Sequence, residues 1–200
     1  MQATVDRIKA NYVSGSGDAG KSNLKVGSLC SKDSPVSRFF NHLWSLMTAI
    51  DDLVCEIGYT LTDEEREVLS WTRRNLFSVS SYVYLAGDTE HHKLPSKFLH
   101  YMDKYIADAG KELGGAKDFI IWDTKPGVLI QNTIIPARNM DVEFDAVMKI
   151  GLINNGEDTE LLGSIINRIS AWFFWMGRRI YKRMGLEEKY WQGYAEEFPV

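Results

Sequence analysis

Phe39, Phe40, Leu43, Met47, Ile50, Val54 and Ile57 recur mostly at steps of three and four, and that spacing constrains the fold more than any motif in the chain. Such a stripe lies along one face of an α-helix and has to be buried against other elements. It predicts a first helix from about Ser34 to Tyr59, with Ser34 as N-cap and Pro35 at the first helical position. Four more helical patterns follow. Thr62-Asp63-Glu64-Glu65 opens the second as a capping box, and Leu69, Leu76, Val79 and Val83 carry it to near Gly87. The third spans about Ser96 to Leu113 and closes on Gly114-Gly115. The fourth starts after Thr124-Lys125-Pro126 and runs to about Ile150, with Pro136 expected to kink it. The fifth begins near Glu157, carries Leu162, Ile165, Ile166, Ile169, Phe173, Met176 and Ile180 on one side, and stops at Gly185. Within it the run Trp172-Phe173-Phe174-Trp175 covers both sides, which predicts burial in a larger core or an interface. Five long helices joined by loops imply an all-α, five-helix bundle.

With 200 residues, 44% of them hydrophobic, the chain can fill one core. Its expected organisation is a single domain: an N-terminal phosphate-loop-like segment over 1–33, the bundle over 34–186 and a C-terminal tail over 187–200. The tail mixes acids with Tyr190, Trp191, Tyr194 and Phe198, and no pattern in it assigns an element. A net charge of −4 argues against nucleic acid as the main partner, because a phosphate backbone calls for clustered Lys and Arg. No apolar run is long enough to span a bilayer, so no membrane partner is expected, and residues 1–7 show no signal-peptide core. Cys30 and Cys55 lack C-x-x-C spacing; reduced thiols in a cytoplasmic protein are expected, with one disulfide between them as the alternative. His42, His91, His92 and His100 show no ligand spacing with acids or thiols, and no metal site is expected from side chains.

Gly15-Ser16-Gly17-Asp18-Ala19-Gly20-Lys21-Ser22 matches G-x-x-x-x-G-K-[ST], the P-loop pattern, at every fixed position. A P-loop needs a helix leaving the turn, so that backbone N–H groups and the helix N-terminus converge on the anion. Here Asn23 to Cys30 has no 3.6-residue stripe, Pro35 follows soon after, and the chain lacks a series of buried parallel strands. The segment is expected to grip phosphate through consecutive backbone N–H groups on some other scaffold, the alternative being a plain glycine-rich leader.

Four segments in order resemble the PduO-type ATP:cob(I)alamin adenosyltransferases. Ser14 to Ser22 looks like a variant of that family's T-[KR]-T-G-D-x-G-x-[ST] segment, and Ser31-Lys32-Asp33-Ser34-Pro35 is similar to its S-K-D-D-P. Thr48-Ala49-Ile50-Asp51-Asp52-Leu53 through Gly58 resembles G-T-x-D-E-L-x-x-x-I-G, and Asn167-Arg168-Ile169-Ser170-Ala171 resembles N-R-x-S-D. The fourth-helix motif H-x-A-R-x-x-x-R-R-x-E-R departs: only its first arginine is kept, as Arg138, while the others fall on Val142, Glu143 and Ala146. Valine cannot offer the planar, always-charged fork of a guanidinium, and Glu143 or Asp145 beside a triphosphate would repel it.

The resemblance implies a five-helix bundle assembled as a homotrimer, with ATP, Mg²⁺ and cobalamin as ligands. The implied reaction is transfer of the 5′-deoxyadenosyl group of ATP to Co(I), releasing triphosphate, with no side-chain nucleophile. It places Ser16, Gly17, Asp18, Gly20, Lys21, Ser22 and Lys32 at the triphosphate and Asn167 at the nucleotide. Phe119 or Trp122 faces the corrin, and Asp51 with Arg138 forms a structural ion pair between helices or subunits. The missing arginines imply an alternative: a bundle that binds nucleotide, corrinoid or protein without turnover. Arg178, Arg179, Lys21 and Lys32 are the candidates to replace the lost charge.

Overall fold

The computed structural model describes residues 21–23, 29–85, 96–153 and 156–191. A short antiparallel pair, β1 (Lys21–Asn23) and β2 (Leu29–Ser31), leads into α1 (Pro35–Ile57). A 3₁₀ turn, Gly58–Thr60, precedes α2 (Asp63–Tyr84). Then come α3 (Ser96–Leu113), β3 (Ile120–Ile121), α4 (Lys125–Lys149), α5 (Glu157–Arg183) and β4 (Lys189–Tyr190). The five helices stand where the apolar stripes place them.

Their ends follow from local chemistry. The Ser34 side chain accepts from the Ser37 amide at 3.2 Å, with Pro35 inside the first turn. Thr62 accepts from the Glu65 amide while Glu65 accepts from the Thr62 amide, completing the capping box. Gly114 and Gly185 follow α3 and α5 with φ of 72° and 66°, a conformation that costs a residue with a Cβ. α4 runs through Pro136 as one element; the proline is buried, and Thr133 Oγ1 donates to the Ile130 carbonyl one turn earlier.

The buried stripe of α1 is Val36, Phe39, Leu43, Leu46, Met47, Ile50, Leu53 and Ile57; Phe40 is only half-buried and Val54 is exposed. Leu46 and Leu53 replace them because α1 is covered on two sides. It packs against α4 and more lightly against α2, and α4 and α3 both pack on α5. Each fully buried aliphatic or aromatic side chain in that core contributes about 1.5–3 kcal/mol. Trp172 and Phe173 are completely buried and Phe174 and Trp175 half-buried, so the core of one chain takes up much of the aromatic run.

α2 is held at its ends. Tyr82 Oη and Thr159 Oγ1 lie 2.8 Å apart in the core. At the other end Glu65, 2% exposed, receives two hydrogen bonds from Arg183 and one from Tyr105 at 2.6 Å. Burial first, then the Glu65 charge, pushes the Tyr105 hydroxyl well above its usual pKa, so it stays a donor.

Both sheets among the described residues are two-stranded and antiparallel. Lys21–Asn23 is a strand, not the start of a helix, which removes the P-loop reading of the glycine-rich segment. No described helix is long and apolar enough to cross a membrane.

Candidate functional site

Phe119 and Trp122, the two aromatics proposed from sequence, line one cleft with Arg138. The cleft is about 410 Å³, and Asp118, Ile120, Gln131, Ile134 and Phe174 complete its walls. α4 builds one wall, because Gln131, Ile134 and Arg138 recur at three- and four-residue steps and therefore share a face. The loop after α3 builds the other.

The two aromatics play different parts there. Trp122 is half-buried and stands edge-on to Tyr181 and Phe174, with ring centroids 5.1 and 6.1 Å away. Phe119 is 78% exposed. Gly127 makes the packing under Trp122 possible: a Cβ there would strike Tyr181 Oη and come within 3.1 Å of Trp122 Cα. That space lets Tyr181 Oη sit 2.6 Å from Thr124 Oγ1, the cap of α4.

The loop is fixed by residues distant in sequence. β4 pairs antiparallel with β3, Ile120 opposite Tyr190 and Ile121 opposite Lys189, and the Trp191 amide donates to the Phe119 carbonyl at 2.9 Å. Beneath the pair, Arg178 on α5 is 3% exposed. It donates to both Glu188 oxygens, at 2.7 and 3.0 Å, and to the Gly114 carbonyl at 2.8 Å. Burial opposes the Arg178 charge, but the Glu188 bonds outweigh it and hold the guanidinium above its usual pKa. Arg179 is engaged with Glu112 at 3.0 Å and lies over the Tyr105 ring. Neither arginine is free to replace the fourth-helix cations.

Arg38 is the cation that does stand by that motif. Its Nε donates to Glu143 Oε1 at 2.7 Å, and its Nη1 donates to the Asp33 carbonyl. Glu143 is 14% exposed, and its Oε2 is buried without a hydrogen-bond partner among the described residues. Asp145 pairs with Lys149. The feared repulsion is thus reduced within the chain itself. Sequence reading missed Arg38 because its partner lies more than a hundred residues away; its place in the first turn after Lys32-Asp33 is the only local hint.

The remaining expectations divide. Ser16, Gly17, Asp18 and Gly20 lie outside the described residues, as do His91 and His92. Lys21 and Ser22 are placed by backbone alone, opposite Ser31 and Cys30. Lys32 is exposed just beyond β2. Asn167 is also exposed, and its Nδ2 donates to Asp141 Oδ2 at 3.1 Å. Asp51 pairs with Arg73 of α2 at 2.8 Å, not with Arg138. The pair expected between helices is not made within the chain, because Asp51 is claimed by α2 while Arg138 opens on the aromatic cleft. No group of three acids, histidines or cysteines among the described residues could hold a metal ion.

The family model for cobalamin adenosyltransferases matches residues 12–180, most of the chain. The chain belongs to that family. No curated protein matches this cobalamin adenosyltransferase family member. Its fold is similar to a phenylalanine-to-alanine variant of the PduO-type ATP:corrinoid adenosyltransferase from Lactobacillus reuteri, complexed with cobalamin and ATP. There the TM-score is 0.75 at 16% identity, covering 91% of this chain and 99% of that one. An arginine-to-lysine variant from the same organism, complexed with ATP, gives a TM-score of 0.72 at 14% identity, covering 89% and 98%. For this adenosyltransferase family member such low identities speak to the bundle alone.

Proposed function

We propose that the chain transfers the 5′-deoxyadenosyl group of ATP to the Co(I) centre of a corrinoid. The observation that carries the reading is the cleft that joins exposed Phe119 and half-buried Trp122 to Arg138, within a family-matched bundle. Cobalt(I) of the substrate attacks C5′, the C5′–O bond breaks, and its electron pair leaves with triphosphate. No protein nucleophile is required; the chain's task is to orient two substrates, stabilise the leaving charge and exclude water.

Phe119 is the aromatic available to a corrin face, since Trp122 is held by Tyr181 and Phe174. The triphosphate lies along the N-terminal segment, with Ser16, Gly17, Asp18, Gly20, Lys21 and Ser22 as its expected backbone cradle. Lys32 and Arg38 adjoin that segment through β2 and the start of α1. Asn167 meets the nucleotide by releasing Asp141. Mg²⁺ would come with the triphosphate and neutralise its charge, since it binds through phosphate oxygens, waters and one or two carboxylates.

The expected assembly is a homotrimer in the cytoplasm. Val128 and Ile135 are both exposed and stand seven residues apart along α4, with Trp44 of α1 across a shared groove from Ile135. An apolar seam of that length suits a subunit face. In such an assembly Asp51 would pair with Arg138 between subunits by exchanging its bond to Arg73.

A non-catalytic binding relative is the second reading. What favours it is acid at the nucleotide side: Asn167 is engaged by Asp141, and Val142 and Glu143 occupy arginine positions. An anaerobic assay with Mg-ATP and chemically reduced cobalamin separates the two. Loss of Co(I) absorbance with formation of adenosylcobalamin above the no-protein control supports the enzyme. Folded trimer that binds cobalamin without turnover supports the binding relative.

A further inference from the structure

α4 and α5 run antiparallel past the aromatic cleft, as their close approaches show: a Cβ on Gly177 would meet Ile130, and one on Gly163 would touch Phe144. Between those two levels Asn167 Nδ2 donates to Asp141 Oδ2 at 3.1 Å. Asp141 follows Arg138 by three residues and Asn167 precedes Phe174 by seven, so both stand on the helix faces that line the cleft. The rise along α4 from Arg138 to Asp141 is about 4.5 Å. Asp141 is half-buried and falls on a position that the fourth-helix motif leaves free. Among the described residues its carboxylate makes no other hydrogen bond or ion pair. The charges around it are already engaged: Arg168 is tied to Asp103 of α3, and Asp145 to Lys149.

We infer that Asp141 reads the ribose of the nucleotide, its carboxylate accepting from the 2′- and 3′-hydroxyls. This rests on the adenosyltransferase reading and makes the acid beside Asn167 a specificity residue instead of an obstacle. The chemistry of transfer fixes the neighbourhood. C5′, the carbon that cobalt attacks, is bonded directly to the ribose ring, so the vicinal diol belongs at the edge of the aromatic cleft. Asp118, the acid inside the cleft, already accepts from the Phe119 amide at 2.7 Å, which leaves Asp141 to take the hydroxyls. The triphosphate hangs from the other side of C5′, so the carboxylate faces the uncharged part of ATP. An amide N–H directed at a carboxylate suits hydroxyls, which both donate and accept, and does not suit a metal ion. When Asn167 turns to the nucleotide, the freed Asp141 oxygen takes a hydroxyl in place of the amide and is not left unpaired.

The test uses the full chain and its Asp141→Ala and Asp141→Asn variants. Each is titrated by calorimetry with the magnesium salts of ATP, 2′-deoxy-ATP, 3′-deoxy-ATP and inosine triphosphate, and followed by steady-state kinetics with reduced cobalamin. Wild type should bind ATP about tenfold or more tightly than either deoxynucleotide, the usual size of a hydrogen bond to a charged group. Asp141→Ala should bring those ratios to within about twofold of unity while the cobalamin KM stays unchanged. Asp141→Asn keeps one acceptor and should fall between. Ratios are read because removing a negative charge shifts every nucleotide alike and cancels. The inference is overturned if wild type treats ATP and the deoxynucleotides alike, or if Asp141→Ala keeps the preference. It is overturned too if the variant loses only its preference for ATP over inosine triphosphate, which would assign the carboxylate to the base. Wild-type protein that binds no ATP sinks this inference and the adenosyltransferase reading alike. Ribose selectivity that depends on Asp141, in a protein without turnover, sinks the adenosyltransferase reading only.

Discussion

Arg38 and Glu143 meet through a 2.7 Å charge-assisted hydrogen bond that ties the first turn of α1 to the last third of α4. The bond places a cation against the acid that stands at an arginine position of the family motif. Arg38→Ala should therefore raise the ATP KM about tenfold, by removing one charge and uncovering another. Glu143→Ala in the same chain should return part of the loss. A double variant no better than Arg38→Ala would show that Glu143 does not face the nucleotide.

Val142 gives the converse experiment. It is 67% exposed in mid-helix, where arginine has the better helix propensity. Val142→Arg should lower the ATP KM roughly three- to tenfold, with an effect that fades at high salt, and should change stability by no more than about 0.5 kcal/mol. Unchanged ATP kinetics in a folded variant would place the triphosphate away from this face.

Phe119 and Trp122 should separate function from stability. Phe119→Ala removes an exposed ring, so thermal unfolding should barely move while corrinoid turnover falls at least tenfold. Trp122→Ala leaves a void between Phe174 and Tyr181 and should cost about 2–4 kcal/mol by denaturant titration. Equal stability losses in the two variants would contradict the division of roles.

Gly127→Ala should destabilise by about 1–3 kcal/mol, because its Cβ meets Tyr181 Oη and the Trp122 backbone, and backbone cannot swing aside. Near-UV circular dichroism should report a moved Trp122. A variant that melts with the parent would mean that Tyr181 yields easily.

The Arg178–Glu188 clamp should open in acid. Burial alone would raise the Glu188 carboxyl, but Arg178 and Tyr190 outweigh it and hold the group below its usual 4.5. A depressed carboxylate stabilises fully above its unfolded value and loses that contribution as pH falls through the folded one. Tryptophan fluorescence should therefore change below about pH 4.5. Glu188→Gln should flatten that response, and an identical profile in both proteins would assign it to another group.

The helices were legible because each carries its own start signal and apolar period. Ser34-Pro35, Thr62 with Glu65, and Gly185 act within a few residues of themselves, so no knowledge of the fold is needed to read them. The cleft was legible in its aromatics but not in its support. Ile120–Ile121 is too short for any period, and its partner lies beyond two helices. Arg178 reads as one more cation near a helix end until Glu188 is seen over it. Asp51 likewise found Arg73, a partner that no local spacing names.

The pairing of β3 with β4 also sets an order in time. A ribosome delivers the loop of Phe119 well before Lys189 and Tyr190, with both α4 and α5 still to be made. Helices can collapse on one another as they emerge, but this loop cannot acquire its final edge until the strand beyond α5 arrives. A newly made chain therefore completes its scaffold first and its aromatic face last.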